Sequence, residues 1–466
     1  MYVYSVRNSN QMKYIITVLF FVPIVAMATT FNVGPGRTYQ VPSAVMNLVS
    51  DGDTVYIDAG EYLGNVGVWN QDNLTIIGLG GRAHLRADGN AAQGKAIWVI
   101  KGDTTALYNI EFSECQVPDN NGAGIRHEGK VLNLQNCSFH HNEMGILTLS
   151  NNPGDHILIE YSEFYENGFG DGFSHSVYVN HSSSLTIRYC HFTKAFIGHH
   201  IKSRAAKHTI EYNNINDLSD GQSSRLIDLP NGGNTLIKGN ILIQGPAAEN
   251  GNLIGYGLEG INEPTDYFFC VNNTIVSYRH AATFFAMNGD VDTTLVANCV
   301  IGGPGNMVQG ELYIENILCM QDPDSIQFSD PLNNIYFLTS TSPAIDQGVN
   351  YGSINGVDLM VNREYQYELS DVDRIASGSI DLGAHEFQFS SIQSNIRKDE
   401  RPFFYPTLAD REIHFIDPVD DLTIVNISSG KVMQLEHVGD RLDISKLMPG
   451  IYNLSSKGRS ARLVKQ

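Results

Sequence analysis

Leu132-Asn-Leu-Gln-Asn-Cys-Ser-Phe139 is followed by Ile157-Leu-Ile-Glu-Tyr-Ser-Glu-Phe164 and by Leu185-Thr-Ile-Arg-Tyr-Cys-His-Phe192. In each stretch alternating apolar residues lead to a polar or aromatic pair and then to a large apolar residue. Looser copies stand at Leu107–Phe112, Thr209–Ile215, Leu236–Ile241 and Phe268–Ile275. The closing residues 112, 139, 164, 192, 215, 241 and 275 are 27, 25, 28, 23, 26 and 34 apart. A period of roughly 20–50 residues signals stacked repeats. Here each unit holds short strands of period two, separated by Gly, Asn and Asp turns, with no helical periodicity. A coil of three short strands and three turns takes about 20–28 residues. A propeller blade would need about 40, and a leucine-rich repeat would place Leu at fixed offsets. The expected fold is all-β, a right-handed parallel β-helix in which like residues stack from rung to rung as Asn, Cys and aliphatic ladders.

Composition agrees with this and narrows function. The chain has 466 residues, 42% hydrophobic, with 44 Gly, only 2 Trp and 17% charged residues, so it is not a disordered chain. Its net charge of -20 lacks the basic footprint of a nucleic-acid binder. Lys13, the apolar run that follows, and Ala26-Met-Ala28 read as a secretory signal peptide over residues 1–28, with cleavage near Ala28. Beyond it no apolar run is long enough to span a bilayer. An exported chain can use disulfides. Cys137, Cys190, Cys270 and Cys299 share one local frame, which predicts stacked buried thiols and leaves a disulfide between adjacent turns open. Cys115 and Cys319 complete the set, and no CxxC spacing suggests structural zinc.

Two segments resemble the ends of pectate-lyase-type β-helix proteins. Asp51-Gly-Asp-Thr-Val-Tyr-Ile-Asp-Ala-Gly-Glu-Tyr62 is similar to their opening coil, and Ser342-Pro-Ala-Ile-Asp-Gln-Gly348 with Asp381-Leu-Gly-Ala-His-Glu-Phe387 to their closing tail. The β-helix is accordingly expected over 29–387, and a polar linker over 388–402. Residues 403–466 alternate like a small β-sandwich. This module resembles the C-terminal sorting domain of type IX secretion cargo in Bacteroidetes. The likeness rests on Tyr405-Pro406, Asn426-x-x-x-Gly430, Asp443-Ile-Ser-x-Leu447, Met448-Pro-Gly-Ile-Tyr452 and Lys465, although the usual Tyr-Pro-Asn-Pro start is here Tyr405-Pro-Thr-Leu408. It implies the type IX machinery as a partner and a secreted or cell-surface location. The chain is expected to act as a monomer.

Charge concentrates the search for a site. Residues 171–208 hold Arg188, Lys194, Lys202, Arg204 and Lys207 against only Asp171, and six of the 15 His. A basic island on an acidic protein suits a polyanion, here an acidic polysaccharide. His175, Lys202 and Arg225 are 27 and 23 apart, about one rung each, so they are expected to form one column, with Tyr178 and Asp228 three residues further on. β-Elimination on a uronic acid needs the C6 carboxylate neutralised, a base for the C5 proton and an acid for the leaving oxygen. Lys202 crowded by Arg225 would serve as base, Arg225 would stabilise the developing enolate, and His175 or Tyr178 would supply the remaining acid or base. Arg204, His200, Asp228, Asn231 and Glu259 are candidates for holding substrate. Carboxylate pairs drawn from Asp217, Asp220, Asp228 and Glu259 would instead make a glycoside hydrolase, and a column that only binds would make a non-catalytic surface protein.

Lys202-Ser203, Tyr212-Asn-Asn-Ile-Asn216 and Arg225 resemble the segment of the chondroitinase B and alginate lyase family that carries its Lys base and Arg. The resemblance implies a polysaccharide lyase. That family has acidic calcium ligands shortly before the Lys, where this chain has Ala195-Phe-Ile-Gly198, so the calcium pattern is not matched; no cofactor is expected, with calcium left open. The wider pattern His175-x-x-Tyr178, Lys202-Ser-Arg-Ala205 and Asp228-Leu-Pro-Asn-Gly-Gly233 is similar to bacterial right-handed β-helix repeat proteins of no stated activity.

Overall fold

The computed structural model describes residues 28–149, 154–367 and 369–388, and most of 404–465. The expected signal peptide, Ala28 apart, and the expected linker, Gln388 apart, lie outside the described residues.

Each rung follows from one local constraint. After its first strand the chain turns through a single residue of positive φ: Asn109, Asn136, Tyr161, Tyr189, Tyr212, Gly239, Asn272, Asn298 and Asn316. Asn and Gly tolerate this left-handed conformation best. The next residue then points into the coil. At Asn213, Asn240 and Asn273 it forms a ladder: Nδ2 of Asn213 donates to Oδ1 of Asn240 at 2.9 Å, and Nδ2 of Asn240 to Oδ1 of Asn273 at 2.9 Å. The same amides donate to carbonyls of the neighbouring rung, so the turn's buried polar groups are satisfied. Two residues beyond the inner position, Phe112, Phe139, Phe164 and Phe192 stack at 5.1, 4.9 and 4.6 Å between ring centroids and are fully buried.

Repetition of this unit builds a parallel β-helix, right-handed as its sequence implied. One face runs through Val131–Gln135, His156–Glu160, Ser184–Arg188, Lys207–Glu211 and Asn234–Lys238. A second runs through Ile110–Ser113, Ser138–His140, Glu163–Tyr165, His191–Thr193 and Asn214–Asn216. The third is a ten-stranded parallel sheet from Gly67–Trp69 to Gly305–Gln309. The repeat marker shifts in one copy. Ile215 pairs with Leu242, and Leu242 with Ile275, so Leu242, not Ile241, is the inward residue of that rung. All six cysteines are free and five of them are buried. They do not form the expected single stack: Cys137, Cys190 and Cys299 follow the turn residue, with Ser162 between the first two, whereas Cys270 lies in the strand before the turn, paired with Ile237 and Val296. The tail at 342–387 lies on the second face, where Ala344, Tyr365, Leu382 and Ala384 cover Ile241, Ile243, Val276 and Val300. In the C-terminal module, Glu412–Asn426 and Val432–Asp443 pair with breaks of register near Val419, around a core of Ile413, Phe415, Leu422, Ile424 and Leu454.

Phe164→Ala is expected to cost about 3–5 kcal/mol, because the ladder has no slack to close the void. Leu332→Ala, at a side chain 95% exposed, should change stability by less than about 0.5 kcal/mol. Chemical denaturation of the two variants checks the contrast.

Candidate functional site

The third face carries the groove. Its register pairs Tyr178 with Lys202 and Lys202 with Asp228, and Asp228 with Gly255. The steps are therefore 24, 26 and 27 residues, read from these pairs. The expected column of His175, Lys202 and Arg225 does not form. Three residues earlier a second column runs through His175, His199 and Arg225. His175 and His199 stack at 4.8 Å. The backbone N–H of His199 donates to His175 Nδ1 at 3.0 Å, and that of Arg225 to His199 Nδ1 at 3.1 Å. With Nδ1 accepting, each neutral ring carries its proton on Nε2. His199 Nε2 lies 3.4 Å from Asp228 Oδ2. Sequence reasoning did not single out His199; its interval of 24 from His175, matching Tyr178 to Lys202, was the available signal.

Lys202 consequently meets carboxylates instead of Arg225. Its Nζ lies 3.0 Å from Glu259 Oε1 and 3.8 Å from Asp228 Oδ2, and 5.8 Å from the centre of the Tyr178 ring. Arg225 Nη1 donates to the other oxygen of Asp228 at 3.2 Å, so Asp228 separates the two cations. Gly255 keeps this arrangement possible: a Cβ there would fall 2.8 Å from Asp228 Oδ1 and 3.0 Å from Arg225 Cδ. Arg204, just past the strand, donates through Nε to the Tyr178 hydroxyl at 3.0 Å, through Nη2 to Glu259 Oε2 at 2.5 Å, and through Nη1 to Asn231 Oδ1. Glu259 is thus gripped by Lys202 and Arg204 from a loop that Asn231 holds in place. The Asn231 side-chain amide donates to the Gly260 carbonyl at 2.9 Å, and the main-chain carbonyl of Asn231 accepts from the N–H groups of Asn262 and Glu263. The groove in front measures about 410 Å³ and is bordered by His175, Tyr178, Lys202, Arg204, Glu259, Met144, Leu147 and the exposed Phe173.

His200 does not belong to it. The turn directs this side chain into the coil, where Nε2 lies 2.7 Å from Asp217 Oδ1 and both side chains are fully buried. Asp217 also accepts from Ser223, so it serves the interior. Asp220 is exposed and pairs with Lys194. The basic island is likewise not one surface. Arg188 pairs with Glu160 on the first face, Lys207 is exposed on that face, and only Lys202 and Arg204 of the five cations reach the groove.

Electrostatics separates the titratable groups. Burial, reinforced by Lys202 and Arg204, holds His175 well below the ordinary imidazole value. Burial does the same to His199, with His175 and Arg225 adding to it. Burial raises the Asp228 carboxyl, and the attraction of Arg225 and Lys202 does not overcome it. Burial acts on Glu259 in the same sense, but hydrogen bonds from Arg204 and Lys202 outweigh it and hold that carboxyl below its usual range. Calcium does not fit here. It asks for about six to eight oxygen ligands, whereas Glu259 and Asp228 are engaged by Lys202, Arg204 and Arg225, Asp119 pairs with Lys95, Asp171 accepts from the N–H groups of Phe173 and Ser174, and 195–198 offers no carboxylate.

No protein-family model matches the chain, and neither does any curated protein. The solved structures that resemble the chain at low identity include these three. Pectate lyase Pel9A is 15% identical, with a TM-score of 0.44, covering 78% of this chain and 97% of its own. ORF18 of Geobacillus virus E2 is 11% identical, with a TM-score of 0.36, covering 86% and 82%. A pectin methylesterase from Aspergillus niger is 13% identical, with a TM-score of 0.29, covering 68% and 91%.

Neutral buried imidazoles make the fold acid-sensitive. His127 is held at about 4 and His208 at about 3 by burial, against about 6.5 in the unfolded chain. Between these values the unfolded chain binds more protons, so stability rises with pH. The denaturation midpoint should fall as pH drops from about 6.5 to 5, above the carboxylate range. His127→Leu should flatten that slope; an unchanged midpoint across the window in the parent protein would contradict the burial assigned to these rings.

Proposed function

We propose that the protein is an extracellular polysaccharide lyase that cleaves a uronate-containing glycan by β-elimination. The observation that carries this reading is the fork of Lys202 and Arg204 around the Glu259 carboxylate, beside the Tyr178 hydroxyl. A uronate carboxylate of the substrate takes the place of Glu259 in the fork. Two charge-assisted contacts to that carboxylate stabilise the enolate-like intermediate as charge moves onto it.

Tyr178 then stands where a proton must move. In the proposed reaction the Tyr178 oxygen, as a phenolate beside Arg204, removes the C5 proton, the C5 electron pair forms the C4=C5 double bond, and the C4–O bond breaks. The leaving glycosidic oxygen takes that proton back from the Tyr178 hydroxyl, which restores the phenolate. No oxidant or reductant is needed. Lys202, flanked by Glu259 and Asp228, serves as a charge partner rather than as the base. Arg225 and Asn231 are positioning residues, the first through Asp228 and the second through Arg204 and the Glu259 loop. The signal-like N-terminus and the sorting-like C-terminal module support export by the type IX route to the cell surface or medium.

One observation favours a second reading. Asp228 is raised and Glu259 lowered, and both lie near Lys202. Carboxyls pushed apart in this way suit the acid and base of a glycoside hydrolase.

The protein should be incubated with alginate, pectate, glucuronan and glycosaminoglycans, with and without chelator. A rise in ultraviolet absorbance from an unsaturated uronate, surviving chelation, is expected on at least one of them. Tyr178→Phe should lower the rate by about 10²–10⁴-fold. Glu259→Gln should lower KM by freeing the fork. New reducing ends without absorbance, lost in Asp228→Asn, would replace the lyase by the hydrolase; neither signal on any substrate would overturn the enzymatic reading.

A further inference from the structure

Away from the groove, on the second face, three successive rungs bring His84, Glu111 and His140 together. His84 and Glu111 are register partners, and His140 follows one rung on, opposite Ser113. Glu111 Oε1 lies 3.5 Å from His84 Nδ1 and 3.0 Å from His140 Nε2. One donor atom from each of the three residues can be chosen so that all lie within 4.8 Å of one another, and among the described residues no other group of this kind occurs. Two imidazoles and a carboxylate are a borderline-soft donor set that suits zinc. Bond lengths of about 2.0–2.2 Å put tetrahedral donor atoms roughly 3.3 Å apart. The two measured separations are already close to that, and only the His84–His140 separation has any distance to close.

The outer partners strengthen the case, because metal-bound imidazoles are oriented by what their other nitrogen touches. His84 Nε2 lies 2.7 Å from Ser113 Oγ, leaving Nδ1 toward Glu111. His140 Nδ1 lies 2.8 Å from His141 Nδ1, leaving Nε2 toward Glu111. His141 Nε2 in turn meets Glu166 Oε2 at 2.8 Å. Without metal, His140 Nε2 hydrogen-bonds Glu111. On metal binding that proton leaves, and a proton on His140 Nδ1 with one on His141 Nε2 would complete a chain from Glu166 to the ligating nitrogen, as metal binding with proton release requires. The nearby guanidiniums are already engaged, Arg82 by Glu163 and Arg86 by Glu61 and Glu114. We propose that His84, Glu111 and His140 form a zinc site that clamps three rungs of the β-helix and keeps its fourth position open to water. The site is independent of the groove and of the reaction assigned to it.

Untagged full-length protein, stripped with chelator, should be titrated with Zn²⁺ by calorimetry. Binding is expected at one equivalent, accompanied by a rise in thermal midpoint. His84→Ala/His140→Ala should abolish this binding, Glu111→Gln should weaken it, and His141→Ala should weaken it about 10–100-fold through the outer partner. Binding that persists in the double variant, or no binding in the parent protein, would overturn the proposal. If the double variant fails to fold, anomalous scattering at the zinc edge from crystals of the parent protein decides. A peak between the three side chains supports the site, and a peak elsewhere or none overturns it.

Discussion

Everything on the surface of this protein depends on how one rung stacks on the next. Parallel register is fixed from inside, by the Asn213–Asn240–Asn273 amide ladder and the Phe112–Phe139–Phe164–Phe192 stack. A buried amide displaced by one residue would lose both its ladder partner and its carbonyl, and each such buried loss costs about 1–3 kcal/mol. Once the interior is locked, outward residues have no freedom of column. Tyr178, Lys202 and Asp228 are neighbours because Val177, Ile201 and Ile227 are.

The same rule explains where the sequence could be read and where it could not. The period, the strand alternation and the turn residues were legible, because they are local: left-handed Asn positions and inward Phe residues recur in order. The Lys202 neighbourhood was not. Rung length between 175 and 228 varies with the turns, and the intervals of 27 and 23 fit the mean period as well as the true 24 and 26 do. A slip of three residues exchanged Asp228 for Arg225 beside Lys202, and with it a base crowded by a cation for an ammonium flanked by carboxylates. His200 was misjudged for a related reason. A turn can rotate a side chain inward without any change in local composition, and only its pairing with the buried Asp217 reveals it. Asn231, expected to hold substrate, anchors the Glu259 loop.

Glu259 gives the groove its character. A carboxylate reaching from a loop into a fork of Lys202 and Arg204 neutralises those cations in the resting protein and marks where an external carboxylate would bind. The aromatic face of Tyr178, within 6 Å of both cations, forms the floor of that fork. The groove of this acidic chain, of net charge -20, thereby holds its two cations against carboxylates, with Asp119 and Asp171 bordering it beside Glu259. Its two working cations stand two positions apart, on one strand and just past its end, so no second domain is needed to assemble it.

The most direct measurement is a crystal structure of Tyr178→Phe soaked with a uronate oligosaccharide. A sugar carboxylate between Lys202 and Arg204, with Glu259 moved aside and C5 facing position 178, is the result expected. An oligosaccharide bound elsewhere, with Glu259 still seated in the fork, would contradict the assignment.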